Sequence, residues 1–201
     1  MYAKITDGAI GAIGTLKKLF PNTSFPGGMA DSDFKTANGL QDIVNAEQKD
    51  RKYYWVTQGD ITLVDGVATQ GFTNIAKAIE DVDAKDSDGN QLYVQEWDDD
   101  FDNGEGEEPG KMVDTSEKMI THGLKYSFKN QIKSQANSAL TQTDWMVIRL
   151  AEREVAIPDA TVTYRAAVIT EYGRLKTAIT GAADVDALAV VMNAQNWPET
   201  D

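Results

Sequence analysis

Cysteine is absent and histidine occurs once, at His122, in a chain of 201 residues. The first absence excludes a disulfide framework and thiolate chemistry, while a single imidazole excludes any site built on two histidines. The usual nucleophile–base pairs are left nearly without material. No stretch approaches the roughly 18 consecutive apolar residues of a membrane span, and the opening MYAKITDGAIGAI has no basic region followed by an apolar run. A soluble, unprocessed protein is expected, with no catalytic, cofactor or metal residues assigned and no membrane partner. Clustered cations are also scarce: the formal net charge is -13, which disfavours nucleic acid as a partner because phosphate binding draws on released counterions.

Hydrophobic content of 41% is enough for a buried core. The excess negative charge is local. EWDDDFDNGEGEEP, residues 96–109, carries eight carboxylates and no Lys or Arg, so it supplies -8 and leaves -5 for everything else. Such a run is too charged to bury itself and reads as a solvated linker.

Before the run, the pattern is that of strands. MYAKI and AIGAI flank Asp7-Gly8, a pair suited to the positive φ of a tight hairpin, and Thr15 is placed to cap a short helical turn that Pro21 ends. Residues 51–72 alternate aromatic or β-branched residues with polar ones and predict a meander cut at Gly59-Asp60 and Asp65-Gly66. A further hairpin is expected to turn at Asp88-Gly89-Asn90. After the run the period becomes 3.6: Ile120, Leu124, Phe128, Ile132 and Ala136 recur every four residues, behind a capping box at Asp114 and Glu117. The spacing predicts helices over about 115–140, about 144–154 behind Thr143, Pro158 to Gly181, and a short one capped by Asp184. The fold class is therefore α+β: a β-rich N-terminal domain (1–95), an acidic Gly-rich linker (96–112) and a C-terminal bundle of about four helices (113–201).

Several sites invite a chemical reading. Residues 84–95 approach a calcium loop through Asp86, Asp88 and Gly89, but Ala84 and Gln95 stand where the first carboxylate and the bidentate Glu belong, so a polar turn is favoured. A calcium-dependent receptor-binding module and an acidic decoy for a nucleic-acid-binding host protein remain as alternatives. Lys118, Lys125, Lys129 and Lys133 are expected along one side of the long helix, a basic stripe that invites the acidic run to fold back on that face or to dock on a neighbouring subunit. In LTQTDWMVIRLAEREVAIPDATVTYRAAV, residues 140–168, Trp145 is expected to close a helix junction and face Tyr164, with Arg149 and Arg165 keeping their charges in water. The candidate partner-binding residues are thus Trp145, Arg149, Tyr164, Arg165, Lys125 and Lys129.

The pattern L-x-x-T-D-W-x-x-x-R, then I-P and Y-R-x-A, from Leu140 to Ala167, resembles the C-terminal module of bacteriophage tail assembly chaperones, tail-fibre assembly proteins and related tail proteins of defective prophages. The beginning, with PNTSFP and ITLVDGVATQ, is similar to tail-associated proteins of marine and cyanobacterial phages. Residues 73–110 match less clearly. The resemblance implies a non-enzymatic part in tail morphogenesis, as a structural or adaptor subunit or as an assembly chaperone. It also implies tail or tail-fibre proteins as partners, and a place in the virion tail or in the host cytoplasm during assembly. A homo-oligomer is expected from the habit of that class.

Overall fold

The computed structural model describes residues 1–99 and 110–199. The architecture is α+β, with a β-rich N-terminal half followed by a helical C-terminal region. The chain divides into two compact units, Met1–Ala76 and Lys77–Asp201.

In the first unit, β1 (Tyr2–Thr6) and β2 (Ala9–Gly14) form the expected hairpin. Asp7 (φ 51°) and Gly8 (φ 75°) are both left-handed, which a two-residue turn of matching twist requires. Thr15 then caps α1 (Leu16–Leu19) by accepting the Lys18 N–H. The sequence signal is weak beyond Phe34, yet Asp31 accepts the Phe34 N–H at 2.7 Å and starts α2 (Ser32–Ala37). β3 (Leu40–Asp42) pairs with β1. Leu16, Ala30 and Leu40 form a core against which Phe20, Phe25 and Phe34 pack edge to face, with centroids 5.0–6.3 Å apart.

The predicted meander is one long hairpin, β5 (Tyr54–Val64) and β6 (Val67–Ala76), turning at Asp65-Gly66, with the two-residue β4 (Val44–Asn45) parallel to β6. Gly59-Asp60 does not cut it. The pair falls in a register shift between Gln58 and Ile61, and buried Gln70 donates to the Gly59 carbonyl at 2.6 Å, so the strand bulges instead of turning.

In the second unit, β7 (Val82–Asp83) pairs with β10 (Ile120–Thr121), and β8 (Tyr93–Asp98) with β9 (Lys111–Lys118). Residues 111–118 are thus strand, not the start of a helix. Their Val113 and Thr115 alternate, and Asp114 accepts from Gln95 across the hairpin at 2.9 Å instead of capping. Glu96–Asp98 and Lys111–Met112, which charge alone assigns to a linker, are likewise paired strand. Most of the acidic run, 100–109, lies outside the described residues, as does its expected docking on the lysine stripe.

Three helices follow: α3 (Leu124–Arg153), α4 (Asp159–Gly181) and α5 (Val185–Asn193). The expected break near Thr143 does not occur. No Gly or Pro interrupts residues 124–153, and the Thr143 hydroxyl bonds back to the Leu140 carbonyl at 3.0 Å within the same helix, so two expected helices are one. Asp184 caps α5 as expected.

Candidate partner-binding surface

The helical region is sealed at one end and bare at the other. At the sealed end, α3 starts against a segment more than forty residues earlier: Ala78 and Ile79 carbonyls accept the N–H groups of Leu124 and Lys125 at 3.0 Å, and Asp81 Oδ1 accepts that of Gly123 at 2.9 Å. These bonds satisfy donors that the first turn of a helix leaves open. The Gly123 N–H is the main reason that the Asp81 carboxyl is held below its ordinary value, with His122 Nδ1, 3.0 Å away, adding to it. Half-exposed His122 stacks on Tyr126, ring centroids 3.5 Å apart.

Lys125 belongs to this seal. It is only 7% exposed, and its Nζ donates to Glu80 Oε1 and, at 3.0 Å, to the Thr180 carbonyl at the end of α4. The sequence places it on an open basic stripe; burial and two acceptors instead commit it to joining three chain segments. Lys118, expected beside it, lies in β9 and pairs with Asp83 at 2.6 Å. Lys129 is half-buried on α3, and its charge helps hold down the Asp81 carboxyl.

Phe128, Ile132 and Ala136 of α3 and Val168, Leu175 and Ile179 of α4 are buried, all six at positions that the helical spacing puts on an inner face. Buried Glu171 closes the far side: it accepts Arg174 Nε and Nη2 at 2.7 Å each and the Asn196 N–H at 2.8 Å, tying the segment after α5 to α4. The Arg174 hydrogen bonds hold its carboxyl below the usual range. The helical spacing leaves Tyr172 or Glu171 for this inner position, and it is Glu171 that is buried, paired with Arg174 at i and i+3.

At the other end no residue of α3 beyond Ala136, and none of α4 before Val168, is buried. Arg165 holds this arm together. Its Nη1 donates to the Leu140 carbonyl (2.9 Å), Thr143 Oγ1 (2.7 Å) and Asp144 Oδ1 (2.9 Å), so its charge is spent on α3 and not kept in water. Trp145 does not close a junction or meet Tyr164. It is 52% exposed, and the Arg149 guanidinium lies over its ring at 4.8 Å, one helical turn on. Arg149 Nε is shielded from solvent and has no acceptor, so this cation too is drawn onto the arm. Tyr164 is half-buried on α4. Ile148 and Leu150 of α3 and Val162 and Ile169 of α4 add exposed apolar surface that the candidate set did not include.

Elsewhere, Asp86 accepts the N–H groups of Asp88 and Asn90 and the Asn90 amide at 2.9–3.0 Å, bonds that lower its carboxyl pKa, the Asn90 side chain most. Its oxygens are thus occupied by its own turn. Among the described residues there is no group of three or more His, Cys, Asp or Glu placed to hold a metal, and no helix is long and apolar enough to cross a membrane. No family model, curated protein or solved structure matches the chain.

Proposed function

We propose that this chain is a non-enzymatic bacteriophage tail-associated protein, a tail or tail-fibre adaptor subunit or a tail assembly chaperone, that works by protein–protein contact. One observation carries the contact part of the reading: the T-D-W…R…Y-R residues sort into a clasp and a display. Thr143, Asp144 and Arg165 lock two helices together, and Trp145, roofed by Arg149, stands on the arm they stiffen. An exposed Trp–Arg pair on a rigid support, ready to be desolvated by a partner, is the composition of an interface hot spot. The tail assignment itself rests on the resemblance of Leu140–Ala167 to tail assembly proteins.

The test is proteomic and then mutational. Mass spectrometry of purified particles, alongside affinity capture from infected cells, is expected to find the chain in the tail at fixed copy number (a subunit) or bound to tail proteins only before maturation (a chaperone). Trp145→Ala with Arg149→Ala is expected to cut capture by about a hundredfold, the loss of one hot-spot pair. Absence from both preparations, or capture that ignores the double substitution, overturns the reading.

A further inference from the structure

The face of α4 opposite its core carries a second pattern. Val162, Ala166, Ile169 and Gly173 are spaced four, three and four apart, and Asp159 and Lys176 extend the series by three at either end. This is the seam spacing of a coiled coil. All six residues are exposed, Val162 at 50% and Ile169 at 57%, while Val168, Glu171, Leu175 and Ile179 on the other side are buried. Gly173 has no role inside the chain: a Cβ there would meet nothing within 4 Å, and glycine weakens a helix interior relative to alanine.

We propose that α4 pairs antiparallel with α4 of a second copy of this chain through that seam. A two-fold axis midway between Ala167 and Val168 sets the layers. Val162 then meets Gly173 of the second copy, Ile169 meets Ala166, and Asp159 meets Lys176, each layer occurring twice. Every apolar layer joins a branched residue to a small one, so the helices approach closely without a void. Gly173 thereby gains its reason. Every terminal layer joins opposite charges, and among the described residues neither Asp159 nor Lys176 has a side-chain partner in its own chain. A parallel pair in register would instead set Asp159 on Asp159, Lys176 on Lys176 and glycine on glycine.

The charge of α4 is compatible with a copy as occupant. The flanking positions on one side are Thr163, Thr170 and Thr177, and α4 carries three cations to two carboxylates, so the acidity of the chain does not oppose the contact. The seam runs 18 residues, about 26 Å at the helical rise. The inference stands on α4 alone and holds whether or not the chain serves a phage tail.

Sedimentation velocity of the full chain over a micromolar concentration range tests it. A dimer is expected, with Ile169→Glu weakening it by about a hundredfold or more while the helical circular dichroism stays as in the parent. Asp159→Lys and Lys176→Asp are each expected to weaken dimerisation by about tenfold, and the double exchange to restore it. A monomeric parent at all concentrations, an Ile169→Glu variant of unchanged mass, or a double exchange no better than the single ones overturns the proposal. A parent that is monomeric alone but binds another protein through Ile169 overturns it equally, since the occupant is then not a copy.

Discussion

Arg165 Nη1 and Asp144 Oδ1 lie 2.9 Å apart between α4 and α3, and the same nitrogen reaches a hydroxyl and a main-chain carbonyl of α3. This guanidinium stands past Ala136 and Val168, the last fully buried residues of the two helices toward this end. Arg165→Ala is expected to lower stability by about 1–3 kcal/mol, the range for a hydrogen-bonded charge, and to raise amide exchange selectively over residues 140–167. Uniform loss of protection along both helices would contradict the clasp.

Lys125 tests the sealed end. Its stem is packed and its ammonium has two acceptors, so Lys125→Met keeps the packing and loses the bonds, while Lys125→Ala loses both. Chemical denaturation is expected to rank the chains parent, Met, Ala, with Ala below Met by about 1–2 kcal/mol. A Met variant as weak as Ala would show that the bonds, not the stem, matter.

Gly123→Ala tests the close approach at the start of α3. Gly123 is the N-cap of α3, an extended position at which alanine is a poorer residue than glycine. Here the added Cβ would collide with the carbonyl of Glu80, main chain that cannot swing aside. The melting temperature is therefore expected to fall. A rise would mean that the Ala78–Asp81 segment can detach without consequence.

Acid sensitivity follows from Glu171 and Asp81. Both carboxyls titrate lower in the folded chain than ordinarily, chiefly through bonds from Arg174 and from the Gly123 N–H. In their titration range the unfolded state binds more protons, so the stability they supply is complete above their unfolded pKa values of about 4 and is lost as pH falls through the lowered folded values. Melting curves between pH 6 and pH 2.5 are expected to show a smaller acid-induced drop for Glu171→Gln than for the parent.

How legible all this is in the sequence depends on where the partner of each residue lies. Asp7-Gly8, Asp65-Gly66 and Asp184 act on their own neighbours, and hairpin, turn and cap follow from them directly. The period-four stripe finds Phe128, Ile132 and Ala136 but extends too far back, to Ile120. What stops the helix at Leu124 is supplied by Ala78–Asp81, and no local pattern announces a cap from so far away. Lys125 is misplaced for the same reason: its acceptors are 45 and 55 positions distant. In the T-D-W motif, Thr143 and Asp144 look like a helix start. They serve instead as a receptor for Arg165, which spacing alone does not reveal.

The pairing of Asp98 with Lys111 has a practical side. It brings the two ends of the acidic run together by main-chain bonds of the flanking strands, and lengthening a connection between ends already held together costs little, about 0.6 kcal/mol per doubling. An epitope or a fluorescent reporter spliced into that run should therefore be carried as cargo, giving a handle for following the intact chain without touching either helix face.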